Sequence, residues 1–130
     1  MTLALDTSIL IEIEKGNKAI IEKIKDLIKV HPLPAVLPFI VYFEFIHGLK
    51  NKNVKNKKKI LELINNFEVL KIKKETAELL SELKQKYDLQ GEQLSLSDLL
   101  IASQVIENKL TLITKDFDFK KITEMQKIII

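Results

Sequence analysis

Short unbroken apolar runs alternate along this chain with longer stretches in which apolar positions recur every three or four residues. The runs LAL at 3–5, AVL at 35–37 and TLI at 111–113 are bounded by turn or cap residues and predict strands. FEVLKI at 67–72 predicts a fourth strand and KIII at 127–130 a fifth. Between them, Ile20, Ile24, Leu27 and Ile28 share one face of a helix; Ile60, Leu61, Ile64 and Phe67 repeat that spacing, as do Leu79, Leu80, Leu83 and Tyr87. Strands alternating with helices predict an α/β fold of three layers, a central mainly parallel sheet flanked by helices. The strands are nearly all apolar, as burial on both faces requires.

The prolines punctuate this pattern. Pro32 and Pro34 block a helix continuing past Val30 and favour extended chain into AVL. Pro38 suits a helix start, so FIVYFEFIHGL predicts a helix from Phe39. That helix is apolar almost all round, which places it in the core, in a dimer interface, or in both. Gly48 suits the end of this helix or a close packing contact.

The length of 130 residues predicts one domain, spanning 1–130. An apolar share of 46% with 30% charged residues excludes a disordered chain. The absence of cysteine excludes a disulfide scaffold, a thiol nucleophile and thiolate zinc sites. Two histidines, His31 and His47, are too few for a histidine metal cage. MTLALDTSIL has no basic leader and reaches Asp6 early, so no signal peptide is expected. No charge-free apolar run approaches the ~18 residues of a membrane span, and a cytoplasmic location is expected.

Charge is distributed unevenly. The net charge of +3 comes from 21 basic and 18 acidic residues, and every basic residue is lysine. Lys50, Lys52, Lys55, Lys57, Lys58 and Lys59 fall in a ten-residue segment without an acid; outside it, 15 lysines face 18 acids. A weakly acidic body with one basic segment suits a polyanion partner, while a solvated loop and helix start is the plainer reading. With no arginine, lysines would meet a nucleic-acid backbone as point charges.

Four acids attract attention because an open parallel sheet binds ligands beyond the carboxyl ends of its strands. Asp6 follows the first strand and either caps the next helix or belongs to a site. Asp116 follows TLI with the same two readings, turn or site, and Asp118 supports the same turn. Glu44 is a carboxylate on an otherwise apolar helix; it pairs with His47, lies on an exposed edge, or joins a site, since a lone buried carboxylate costs several kcal/mol. Asp98 completes a capping-box pattern from Ser95, yet heads the apolar stripe Ile101, Ala102 and Val105. This topology brings all four together, and four close carboxylates repel unless a divalent cation sits among them. Oxygen ligands select Mg²⁺ or Mn²⁺, and such an ion acidifies water and braces a phosphoryl oxygen. Acids beside a lysine patch therefore predict phosphodiester hydrolysis.

The segments LDTSIL, FEFIHGL, LSDLLIAS and LITKDFDF, in that order along nearly the whole chain, resemble those of the PIN-domain ribonucleases. The compact form resembles a VapC-type toxin of a toxin–antitoxin pair. The resemblance implies a sheet order 3-2-1-4-5, with Asp6, Glu44, Asp98 and Asp116 as catalytic, metal-binding acids. Thr7, Ser8 and Thr114 would be supporting hydroxyls. Asp116 takes the fourth ligand position because it stands two residues after Thr114, leaving Asp118 in support. It further implies Mg²⁺ or Mn²⁺, an RNA substrate cut to 5′-phosphate and 3′-hydroxyl ends, a homodimer, and an antitoxin whose segment occupies the active-site groove. Lys50, Lys52, Lys55, Lys57, Lys58 and Lys59 are the candidate RNA contacts. Alternatives are a PIN-type nuclease of RNA maturation or decay without an antitoxin, and a non-catalytic interaction module. A phospho-acceptor module would need an acidic pair near the first strand, an acceptor Asp after the third and a lysine after the fifth; here Asp6 stands alone and the third ends in LKIKKE.

Overall fold

The computed structural model describes residues 2–31, 33–52 and 55–130. The expectation drawn from Pro32 lies outside them, as do Asn53 and Val54 of the lysine-rich segment. Five strands form one sheet: β1 (Leu3–Leu5), β2 (Val36–Leu37), β3 (Glu68–Val69), β4 (Thr111–Thr114) and β5 (Gln126–Ile129). Their order is β3-β2-β1-β4-β5, and every pairing is parallel. The order 3-2-1-4-5 is the expected one. The helices among the described residues are α1 (Thr7–Glu14), α2 (Lys18–Lys29), α3 (Phe39–Lys50), α4 (Lys57–Asn65), α5 (Lys74–Leu89) and α6 (Leu96–Glu107), with a 3₁₀ helix over Phe117–Lys121.

Central position explains strand composition. β1 and β4 are buried along their whole length, and Leu5, Leu37, Leu112 and Ile113 are almost inaccessible. The edge strand β3 carries exposed Glu68 and is only two residues long, so FEVLKI contributes less strand than its apolar pattern suggests. Phe67 follows α4 rather than extending it.

Register decides what reaches the carboxyl edge. Leu5 pairs with Ile113, and the Asp6 N–H donates to the Ile113 carbonyl at 3.0 Å, so Asp6 and Thr114 emerge side by side. Three helices then end in the same way. After α1, the Gly16 N–H donates to the Ile13 carbonyl and the Asn17 N–H to Glu12, with Gly16 at φ +71°. Gly91 closes α5 by the same pair of bonds. Lys109 closes α6, adopting φ +54° without the freedom of glycine. These Schellman turns redirect the chain sharply, and Asn17 caps α2 directly by accepting from the Ile20 N–H.

The helix predicted from Phe39 begins there, after Pro38 at its cap. It buries one stripe, Val41, Phe45 and Leu49, while Phe39 and Phe43 stay nearly half exposed. Gly48 lies inside α3, and a Cβ there would meet nothing within 4 Å, so neither helix end nor close packing requires it. Its amino end is held from α6: the Phe39 N–H donates to Gln104 Oε1 at 2.8 Å, while Gln104 Nε2 reaches the Leu70 and Lys71 carbonyls. One buried amide thus ties α3 and the end of β3 to α6. No helix is long and apolar enough to cross a membrane among the described residues.

Candidate metal centre

Asp6 is 6% exposed and occupies the cap position of α1, yet its side chain makes no capping bond. Its Oδ2 instead accepts from Thr114 Oγ1 at 2.7 Å and from Ser8 Oγ at 2.9 Å. The cap reading of this residue therefore explains the backbone and not the carboxylate. Thr114, fully buried, also accepts from the Asp116 N–H at 2.9 Å, and Ser8 Oγ accepts from the Lys115 N–H at 3.1 Å. Two hydroxyls thus orient one acid and fasten the loop that carries the next.

That loop turns at Asp116, whose Oδ1 accepts from the Asp118 N–H at 2.9 Å. The bond is the turn-forming role expected of an acid there. It brings a second carboxylate with it: oxygens of Asp98, Asp116 and Asp118 all lie within 4.8 Å of one another. Asp118, assigned only to support of the turn, thus stands in the tightest acidic group. Asp98 caps back onto Ser95, its N–H donating to Ser95 Oγ at 3.0 Å, and is half-buried. Burial first, and then the Asp116 carboxylate, push its pKa up to about 6; Asp6 and Asp118 add to the rise and a hydrogen bond with Ser95 opposes it. The field of Asp6 therefore reaches the group, although Asp6 is not one of the three.

Glu44 is exposed rather than buried among its apolar neighbours. Thr7 Oγ1 donates to its Oε1 at 2.9 Å and Ser97 Oγ to its Oε2 at 3.3 Å. Those donors adjoin Asp6 and Asp98 in sequence and tie Glu44 to the starts of α1 and α6, although Glu44 is not one of the three clustered acids. His47 does not pair with it; the imidazole stacks on Phe43 with centroids 5.5 Å apart. A small cleft beside Glu44 is lined by Thr7, Glu14, Gly48 and Lys52, and Lys52 pairs with Glu14 at 3.8 Å. Lys55 and Lys59 line a second depression that also touches Glu14.

Ser97 and Gln104 were not singled out by sequence, because neither has a spacing signal; their roles exist only once α3 and α6 pack together. The same holds for Lys115, whose Nζ bonds Glu12 Oε1 at 2.9 Å while Asn17 Nδ2 bonds Glu12 Oε2 at 2.7 Å. Those two bonds hold the Glu12 carboxyl below its ordinary range and clamp the acid-bearing loop to α1.

The donor set fits a hard divalent cation. Two oxygens on one such ion, each about 2.0–2.6 Å from it, lie at most about 5 Å apart, which the three carboxylates satisfy. Among the described residues, the ion pair of this group is Lys121 with Asp118 at 3.9 Å, too little to neutralise it.

Comparison with known proteins bears on the family and the fold. The PIN domain family matches residues 3–125. Among solved structures, VapBC2 from Rickettsia felis, bound to a DNA fragment from its promoter, superposes with a TM-score of 0.86 at 22% identity, covering 100% of this chain and 99% of that one. VapBC-1 from nontypeable Haemophilus influenzae gives 0.79 at 26% identity over 99% and 98%. VapBC-5 from Mycobacterium tuberculosis, a member of the VapBC family of toxin–antitoxin systems, gives 0.76 at 19% over 100% of both chains. No curated protein matches the sequence. With the family match spanning nearly all of its length and the five-stranded parallel sheet to go with it, the chain belongs to the PIN-domain family.

Proposed function

We propose that this chain is a divalent-metal-dependent endoribonuclease and the toxin of a toxin–antitoxin pair. The observation that carries the reading is the convergence of Asp98, Asp116 and Asp118 within 4.8 Å, with Asp98 raised to about 6 first by burial and then by the Asp116 carboxylate. Such a group holds its charge at neutral pH when a cation shares the site. Asp6, Asp98 and Asp116 would hold Mg²⁺ or Mn²⁺, with Asp118 and Glu44 as further carboxylate donors. Bound there, such an ion would supply positive charge to a phosphoryl oxygen and acidify the attacking water. Thr114 and Ser8 fix Asp6, Thr7 and Ser97 fix Glu44, and no histidine base takes part. The lysines at 50–59 guide the RNA backbone; Lys52 on the wall of the cleft beside Glu44 supports that path.

A similar structure described as a toxin–antitoxin complex from Klebsiella pneumoniae supports an antitoxin partner, and the acidic groove is the seat proposed for it. The half-exposed Phe39 and Phe43 on α3 support a homodimer.

The test is cleavage of a mixed structured RNA by purified chain with Mn²⁺ or Mg²⁺, alongside a chelator and the Asp98→Asn variant. Cleavage that needs both the metal and Asp98 is expected. Metal-dependent cleavage that survives Asp98→Asn would move the chemistry elsewhere.

A further inference from the structure

We propose that Phe117 and Lys120 form a stacking site for an unpaired base of the RNA strand, next to the candidate metal centre. Phe117 stands between Asp116 and Asp118 and is 66% exposed, the most exposed aromatic side chain among the described residues. Leaving a phenylalanine in water forgoes about 1.5–3 kcal/mol of burial, and the turn does not need it there. The apolar anchor of this 3₁₀ helix is Phe119, which is 1% exposed. The Lys120 ammonium lies 5.0 Å from the Phe117 ring centroid and forms no ion pair among the described residues, whereas Lys115 and Lys121 on the same loop are paired.

An exposed ring with a free cation over it suits a nucleotide, whose base offers a flat π-face and whose phosphate offers charge. The base must be unpaired, because in a duplex both of its faces are already stacked. Phe117 lies between Asp116 and Asp118 in the chain, so the ring is carried on the same turn as two acids of the candidate metal centre. Stacking of this kind is tolerant of base identity, so the site selects single-stranded segments rather than a sequence.

The proposal rests on the ribonuclease reading, and its test separates the two. The chain has no tryptophan, so Phe117→Trp installs one indole reporter at the site. Titrated in chelator with a mixed-sequence single-stranded oligoribonucleotide, its fluorescence is expected to quench saturably, and far less with the same RNA as duplex. In cleavage assays with Mn²⁺, Phe117→Ala should raise KM about tenfold, within the range that ~1–3 kcal/mol per stacked base converts to, with kcat changed less than about twofold. Phe117→Tyr should restore KM and Phe117→Leu should not. Lys120→Gln should flatten the log–log salt dependence of binding by about 0.7. Wild-type KM in Phe117→Ala, equal rescue by leucine, or an effect confined to capture of a partner protein would overturn the stacking site. Quenching by RNA that the wild-type chain never cleaves would remove the ribonuclease reading and leave the stacking site standing.

Discussion

The Thr114 hydroxyl donates to Asp6 at 2.7 Å while accepting from the Asp116 N–H at 2.9 Å, so a single buried side chain sets the spacing between two of the proposed ligands. Thr114→Val keeps the shape and removes both bonds. It should cost about 1–3 kcal/mol, the penalty for leaving buried polar groups unmet, and abolish cleavage, with Thr114→Ser restoring both; urea unfolding and the RNA assay read these separately. Asp98 gives a second test. Its pKa is raised from 3.8 to about 6 in the folded chain, so the folded state holds its proton more tightly than the unfolded one. The resulting stabilisation is complete below about 3.8 and lost as pH rises through about 6. In chelator, Tm should fall over that interval, and Asp98→Asn should flatten the fall. In the sequence Asp6 and Asp116 stand out because each follows a strand, Glu44 because it interrupts an apolar helix, and Asp98 because it heads an apolar stripe. The weighting of Asp116 over Asp118 was not legible there, since only the turn geometry shows both carboxylates on the same side as Asp98.

At the scale of elements, helix ends place the site more than helix interiors do. The two apolar triplets that become β1 and the start of β4 were readable in the sequence; their register, Leu3 on Thr111 and Leu5 on Ile113, is a property of the folded sheet. Gln104 holding the amino end of α3 was not readable either, because a glutamine on an apolar helix carries no mark of a partner 65 residues away. Lys109 shows a local conflict: it sits at φ +54°, a conformation that disfavours residues with a Cβ. Lys109→Gly should therefore raise stability by up to about 1 kcal/mol without altering cleavage, as urea unfolding would show; a loss of stability would mean that the lysine side chain matters more than its backbone strain. Tyr87 ties α5 to the approach to β5 by donating to Glu124 Oε1 at 2.5 Å, and Lys86 bonds the other oxygen at 2.9 Å. Burial alone would raise Glu124, but the bonds from Lys86 and Tyr87 outweigh it and bring the group to about 2. That tie persists above about 4.5 and weakens as pH falls toward 2, an interval that meets that of Asp98 only between about 3.8 and 4.5.

For the whole molecule, the alternation of apolar runs and helical stripes carries the α/β fold, and the resemblance of four short segments implies the sheet order that the structure has. Surface assignments depend on partners and were less legible: α3 is apolar nearly all round, but only packing reveals that one stripe serves the core and that Phe39 and Phe43 remain outside it. If the exposed face that carries Phe39 and Phe43 joins two copies, Phe43→Lys should yield a monomer by sedimentation, while an unchanged mass would exclude α3 from the contact. Removing Lys55, Lys57, Lys58 and Lys59 together should weaken RNA binding and lower its log–log salt slope by about 0.7 per lost phosphate contact on a single strand; an unchanged slope would place the backbone elsewhere. The central claim is that the acids at the carboxyl edge of the sheet share a divalent ion, and calorimetric titration of the chain with Mn²⁺ tests it most directly. The account predicts saturable binding that Asp98→Asn weakens tenfold or more while the fold is kept. Equal binding by both proteins, or none by either, would contradict it.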